Sequence, residues 1–485
     1  MPGKLGISKE SGDGAAALQT ASASFPLEEL AWQCTKNAIA VSQYLSARDL
    51  PQPSHEPDGP SNTLPKDAPP SVRRARQSLI DAALQLFQLA AGPSEFIPNL
   101  APGFQYVACL TWLLRYDIFH LVPASGTISY QDLAAAASKR TGGAESIPET
   151  RLKSIVRMAM TAALFREPEP NHLGHSATSA LLAREADVHS WASYLSTRSA
   201  PTALAMTAAH DRFTPASVSK NETAYNVAFA TNLPFFDHLA LNPADTAEFA
   251  GYMRNVTTSE AVDVKHLVGG YPWADLGSAL VVDVGGSTGN AAIALAKAFP
   301  DLQFIVQDLP DNAAAGREAA SASLPAPILS RLTFQPHDFT TPQPVTNADV
   351  YLLRMILHDW PDHVAAAILK NLVPALEAKK KQSKLLIMDT VLPAPGQVPR
   401  SVERIVRVRD LTMMQVFNSH ERDLEQWKAL LAAADGRLRL RRVVEPFGST
   451  MALLEVELEG EGEGNKEEEE EEDKEEEDGN WDISG

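Results

Sequence analysis

Cysteine is scarce: Cys34 and Cys109 are the only two in 485 residues. A pair so far apart defines neither a disulfide framework nor a zinc site, and two reduced thiols in a cytoplasmic protein are expected. Long apolar runs are missing as well. No uncharged stretch reaches the roughly eighteen residues a bilayer demands, so no membrane partner is expected. The start, MPGKLGISKESGDGAAALQT, has no apolar core of the kind a secretory signal carries. Positive charge is not in excess. The formal net charge is −19, and residues 455–485 account for −15 of it with 17 acids and two lysines. The other 454 residues hold 44 acids and 40 bases, a net of −4. Neither part is built to neutralise a phosphate backbone, which argues against nucleic acid as a partner.

What is present is an ordinary globular composition, 44% hydrophobic and 21% charged, long enough for two or three domains. Residues 1–22 are small and polar and read as disordered. Residues 23–48 carry a helix, with Leu27, Leu30, Cys34, Ala38, Val41 and Leu45 near one face. Seven prolines make 49–72 an extended linker. Helical patterns dominate 73–200. There the order helix, helix, short hairpin (REPEPNHLGHSATSALL) and returning helix suggests a winged helix. Residues 201–277 read as a helical segment shaping a substrate pocket. Over 278–459 short apolar strands (280–284, 303–307, 332–336, 350–354, 384–390) alternate with helices, the signature of a doubly wound, mostly parallel sheet. The last two strands, 438–446 and 450–458, are joined by Phe447-Gly448-Ser449, too short for a parallel crossover. They should therefore be antiparallel. Residues 460–485 are a Glu-rich run that cannot bury enough apolar area to fold, and read as a solubilising tail.

Four strand ends carry chemistry. The first runs through Asp283 into Gly285-Gly286-Ser287-Thr288-Gly289 and then a helix. That spacing is not the G-x-G-x-x-G of a dinucleotide site. It leaves a carboxylate and loop carbonyls to address an amino-acid moiety instead of a diphosphate. Asp308, at the second strand end, stands where an acid accepts ribose hydroxyls. Asp338-Phe339, after the third, suits an adenine, with the acid on its amine and the ring against its face. The fourth strand leads into Arg354-Met355-Ile356-Leu357-His358-Asp359-Trp360-Pro361-Asp362. His358 could be a core histidine; its position after a strand end facing the cofactor makes it a candidate base. Asp389 or Glu421 could hold the imidazole through its other nitrogen. Glu421 could equally favour a helix N-terminus.

In that order, VVDVGGSTGN, QDLP, HDF, LRMILHDWPD, LLIMDTVLP and FNSHERDLEQW resemble the caffeic-acid-type small-molecule O-methyltransferases, most closely the fungal polyketide (sterigmatocystin-pathway-like) group. The resemblance covers roughly 75–458. It implies an α/β, Rossmann-like class I methyltransferase domain, preceded by a mainly helical winged-helix domain that makes a homodimer and binds no DNA. It implies S-adenosylmethionine as cofactor and a small aromatic hydroxylated substrate. Asp283, Gly285, Gly286, Asp308, Asp338, Phe339 and Arg354 fall at cofactor-contacting positions. His358 falls at the general base, with Asp389 and Glu421 at the flanking acids. Met253 and Met413 match methionines that sandwich the substrate ring, although core packing would also explain them. Asn418 matches a substrate-contacting asparagine. Ser287 departs from the family, which often has a third glycine there, and Asp389 stands where plant members often carry Glu.

Three other functions compete. A nicotinamide-dependent oxidoreductase lacks its glycine fingerprint here. A non-catalytic regulator using its winged helix on DNA is opposed by the charge balance. Metal-dependent transfer is opposed by the spacing of His358 and His363 and by the absence, along the sequence, of a carboxylate cluster around them.

Overall fold

The computed structural model describes residues 26–140, 146–379 and 383–460. The segments read from sequence as a disordered start (1–22) and, past Gly460, as an acidic tail lie outside these residues.

The helix Pro26–Ala47 packs along the helix Pro70–Ala91. Pro70 opens the second helix from within the proline-rich segment, where a missing N–H costs nothing. The prolines before it have no regular structure, yet the segment is docked on the body. His55 accepts from the Ala177 N–H at 3.0 Å, Glu56 pairs with Arg166, and Ala68 is buried. The helix Phe96–Arg115 follows. Strand β1 (Ile128–Ser129) then leads into the helix Tyr130–Arg140, where Ser129 Oγ accepts from the Asp132 N–H at 3.0 Å and so caps the turn. The helix Glu149–Met160 precedes a hairpin of β2 (Arg166–Glu169) and β3 (His172–Gly174), and β3 pairs with both β1 and β2. Cys34 is half-buried, Cys109 is buried, and both are free thiols.

The larger sheet has seven strands. In chain order they are β4 (Leu280–Val284), β5 (Gln303–Asp308), β6 (Leu332–Pro336), β7 (Val350–Arg354), β8 (Lys384–Asp389), and, beyond the short β9 (Val391–Leu392) and β10 (Arg422–Asp423), β11 (Leu438–Val444) and β12 (Ala452–Leu458). Their order across the sheet is β11-β12-β8-β7-β4-β5-β6. β4 to β8 run parallel, and β12 is antiparallel to both β8 and β11, as the short connection requires.

Period-two alternation explains why these strands are central. Val350 and Leu352 face one core with Leu386 and Met388; Tyr351 and Leu353 face the other with Leu385 and Ile387. A strand apolar on both sides stays in the middle of a helix-covered sheet. Two tryptophans with no exposure seal the layers, and each indole N–H is satisfied: Trp273 donates to the Leu267 carbonyl and Trp427 to the Thr390 carbonyl. All the carboxyl ends of β4, β5, β6, β7 and β8 thus open toward one edge, where ligands of such sheets bind. No described helix is long and apolar enough to cross a membrane.

Candidate active site

β4 ends at Asp283, which is 1% exposed. Gly285 follows with φ of 74°, a left-handed turn that glycine makes without strain, and a Cβ there would meet Ile356 at 2.6 Å. A Cβ on Gly286 would press on the Asp283 carboxylate at 2.6 Å. The N–H groups of both glycines donate to the Gln307 carbonyl, which locks the loop to β5. Asp283 Oδ2 has no hydrogen-bond partner. Burial raises the carboxyl pKa to about 6, against the pull of Arg354. A buried acid left with an open oxygen is a receptor for a cation, and the ammonium of an amino-acid moiety fits it.

Asp308 ends β5. Its Oδ2 accepts from the Ser287 N–H at 2.7 Å, and its Oδ1 from the Leu309 N–H and the Asn312 amide. A carboxylate has about four acceptor positions, so one remains on Oδ2 for a ribose hydroxyl. Ser287 adopts a φ of 52°, the left-handed conformation that a third glycine would hold without strain. Asp338 is exposed. Its Oδ1 accepts from the Thr340 N–H and hydroxyl, which lowers its pKa, while its Oδ2 stays open. The Phe339 ring packs edge-on to Trp360, with centroids 5.7 Å apart. An open buried acid, an acid at a glycine loop, and an acid beside an aromatic ring form a cradle that fits S-adenosylmethionine. Asp308→Ala should weaken binding of that cofactor at least tenfold by calorimetry. The half-exposed side chain fills no core, so melting should shift little.

Arg354 ends β7, donates to the Val262 carbonyl at 2.6 Å and leaves Nε unpaired. Burial pushes its pKa down, while Asp283 and Asp389 pull it up. It therefore bridges the cofactor cradle electrostatically to the next cluster.

That cluster is His358, Asp389 and Glu421, which are 8%, 1% and 2% exposed. His358 lies on the 3-10 turn Leu357–Asp359 after β7, and Asp389 ends β8. Glu421 immediately precedes β10. His358 Nδ1 is hydrogen-bonded to Glu421 Oε1 at 3.1 Å and lies 3.3 Å from Asp389 Oδ1. Asp389 Oδ2 also accepts from the His358 N–H at 3.4 Å. Both acids therefore grip one side of the ring. Glu421 is not a helix cap; the helix Leu424–Ala434 is capped by Asp423, in a reciprocal box with Gln426. The other nitrogen, Nε2, makes no hydrogen bond to the described residues and lies 3.6 Å from Asp359 Oδ1. Burial opposes the imidazolium, but Asp389, Glu421 and Asp359 outweigh it and hold the pKa near about 10. Glu421 is held low by His358 despite its burial, whereas burial raises Asp389. Glu421 is the acid that hydrogen-bonds the ring.

Sequence spacing gave no carboxylate cluster around His358, and here the structure corrects it. Donor atoms of His358, Asp389 and Glu421 all lie within 4.8 Å of one another, a grouping that could hold a metal ion. The acids come from 31 and 63 residues downstream, a proximity only the fold creates.

The substrate-side residues are less uniform. Met413 packs against an aromatic cluster containing Tyr194, Tyr225, Phe235 and Phe417. Met253 is half-buried on the helix Pro243–Thr258 beside Tyr252, whose ring stacks on Tyr194 at 4.3 Å. Asn418 is the left-handed C-cap of the helix Arg400–Phe417, and its amide donates to the Ser219 and Glu222 carbonyls. Its amide nitrogen is thus engaged with a loop.

Sequence reading missed two residues. Arg422 has no exposure and donates to the Leu357 and Trp360 carbonyls and to Asp362, clamping the turn that carries His358. Its place next to Glu421 was the available signal. Lys220, over the face of Trp360, had no signal at all.

A profile of the O-methyltransferase domain matches residues 214–436. The O-methyltransferase pgmB of Aspergillus terreus is 60% identical over 89% of this chain and 96% of its own length. The O-methyltransferase aurJ of Gibberella zeae is 46% identical over 88% of this chain and 96% of its own. Among solved structures, OxaC superposes with a TM-score of 0.67 at 22% identity, over 90% of this chain and all of that one. The mitomycin 7-O-methyltransferase MmcR gives a TM-score of 0.61 at 23% identity, over 76% and 99%. A pericyclic-reaction enzyme also superposes, with a TM-score of 0.64 at 26% identity over 79% and 94%. The fold therefore hosts more than one chemistry.

Proposed function

The chain belongs to the O-methyltransferase family and uses S-adenosylmethionine; from that premise we propose that it methylates a hydroxyl of a small aromatic, polyketide-type metabolite, with His358 taking the hydroxyl proton. S-adenosylmethionine supplies an electrophilic methyl group on a positive sulfur. What the chain must add is a nucleophile. A phenol, with a pKa of about 10, is almost wholly protonated at neutral pH.

The observation that carries the reading is the one-sided grip on His358. Two acids hold Nδ1, and Nε2 is left for a hydroxyl. A ring held near a pKa of about 10 matches a phenol in basicity. A proton between them is shared almost evenly, and the oxygen acquires much of a phenolate's charge. Because the free ring is protonated at neutral pH, the reacting pair must first release one proton to solvent. Turnover should therefore rise with pH through the neutral range and level off once that proton is gone. A rate that falls from pH 6.5 to 8.5 would contradict the assignment.

The acids beside Nδ1 act as positioning and charge-stabilising groups, with Glu421 the stronger because it makes the hydrogen bond. No metal is required in this scheme, because each carboxylate already sets one oxygen beside Nδ1 of the imidazolium; Glu421 Oε2 has no hydrogen-bond partner among the described residues. Mass analysis of products from a panel of phenols, with isotopically labelled methyl donor, tests the whole reading. Label should appear on a phenolic oxygen and survive a chelator. Activity lost to the chelator and restored by magnesium would instead assign the three side chains to a metal.

The helical segment before the sheet supports a homodimer. Phe96, Ile97, Leu100 and Phe104 follow one another at helical spacing and are all exposed, with Phe87 and Leu89 exposed on the preceding helix. Such a stripe is more than a monomer usually leaves in water. Light scattering should return a dimer at micromolar concentration, and Leu100→Asp with Phe104→Asp should return a monomer. Duplex DNA should cause no salt-sensitive shift.

A further inference from the structure

Lys220 sits in a loop without regular structure, yet that loop is fixed at both ends. Ser217 Oγ donates to Glu222 at 2.6 Å, and Asn418 Nδ2 donates to the carbonyls of Ser219 at 2.7 Å and Glu222 at 3.1 Å. Thr223 and Asn226 then form a reciprocal capping box that opens the next helix. The lysine is thereby held in place from both sides.

Its ammonium lies over the indole face of Trp360 and is half-buried. Among the described residues it makes no hydrogen bond and no ion pair within 4 Å, although most solvent-facing lysines either reach water or pair. Cation–π attraction engages the ammonium without satisfying its three N–H donors, which remain available to a ligand. Burial lowers the lysine pKa to about 8 despite Asp359 and Asp237, so the group is still charged at pH 7. Trp360 also meets Phe339 of the cofactor cradle edge-on, and Asp359 lies 3.6 Å from His358 Nε2. Asp359 thus interacts with both the ammonium and the open nitrogen of His358, which sets Lys220 on the His358 Nε2 side of the site.

We propose that Lys220 is a specificity-determining residue that donates to a second oxygen, carbonyl or anionic, on the aromatic substrate, and so selects phenols bearing such an oxygen over simple phenols. This rests on the methyl-transfer reading above. An incoming oxygen would satisfy the unpaired ammonium, and a charge-assisted hydrogen bond of this kind is about twice as strong as a neutral one. A substrate without the oxygen covers the ammonium and removes its water without replacing those hydrogen bonds. Discrimination by a polar group that must be satisfied is far sharper than discrimination by apolar fit. Asn418 enters the same account as a positioning residue, since it holds the loop on both sides of Lys220.

Calorimetry at pH 7 tests this, with the demethylated cofactor S-adenosylhomocysteine bound first and two probes compared, 1-hydroxy-2-naphthoate and 1-naphthol. The wild type should bind the hydroxynaphthoate at least tenfold more tightly. Lys220→Met should abolish that preference, and Lys220→Arg should restore part of it, while the affinity for S-adenosylhomocysteine stays at the wild-type value in both. No preference in the wild type, equal weakening of both probes in Lys220→Met, or binding of neither probe would overturn the proposal. Failure of S-adenosylhomocysteine to bind the wild type would overturn the methyl-transfer reading itself, and is seen in the first injection series before either probe is added.

Discussion

His358→Ala should lose about 10²–10⁴-fold in turnover at neutral pH, the usual worth of general-base help, while still binding S-adenosylmethionine. The cofactor cradle is built on β4, β5 and β6, and His358 touches none of its acids. The loss has a pH signature. In the wild type, the His358 cation lowers the cost of forming a phenolate, so the rate levels off once the pair has lost its proton. In the variant, a phenol ionises only near its own pKa of about 10. The ratio between the two enzymes should shrink as pH rises, and shrink again for acidic phenols at fixed pH. Initial rates at several pH values with two phenols of different acidity check both. A ratio independent of pH and of phenol acidity would mean that the ring merely shapes the pocket.

Arg422→Ala should be the most destabilising of the substitutions considered, and should cost activity without touching any reacting atom. The guanidinium has no exposure and donates at 2.9 Å to the Leu357 carbonyl and at 2.9 Å to the Trp360 carbonyl. It also donates to Asp362 and lies over the Trp427 ring. Removing it strands the Trp360 carbonyl, leaves the Leu357 carbonyl with only the Trp360 N–H, and opens a cavity beside a buried tryptophan. The stranded carbonyl costs about 1–3 kcal/mol and the cavity adds to it, so the total is on the order of 2–4 kcal/mol. Asp362 is itself mostly exposed, and its ion pair contributes little to that sum. Lysine cannot reach the two carbonyls and the carboxylate together, so Arg422→Lys should recover only a small part. Thermal melting read beside kcat checks this. An unchanged melting point would show that the clamp carries no load.

The strands were legible because both faces of β4, β7 and β8 are apolar, which makes short runs such as LVVDV and VYLLR stand out. The antiparallel end of the sheet followed from the shortness of the connection, which spans residues 445–451. Asp283, Asp308, Asp338 and His358 were legible for the same reason: in a parallel sheet, chemistry at a strand's end sits at one edge by construction. The pairing of His358 with Asp389 or Glu421 was expected from strand-end position and from the family resemblance, but that both acids share Nδ1 was not. Asp389 and Glu421 are 31 and 63 residues away, and only the crossing of β8 and the return at β10 put both on Nδ1. For the same reason the metal-like closeness of the three side chains was invisible to spacing. The pocket wall was hardest to read. Between 200 and 242 the helices are short and joined by irregular loops, so periodicity says little about Lys220 or about the loop that the Asn418 amide nitrogen holds.

The most direct test of the central claim is an absorbance titration of a phenol whose anion absorbs in the visible, such as a nitrophenol or a hydroxycoumarin, bound with S-adenosylhomocysteine to the wild type and to His358→Ala. The wild type should lower the bound phenol's pKa by a unit or more relative to water, and the variant should not. A bound phenol that ionises at the same pH in both proteins, or at a higher pH in the wild type, would contradict the account.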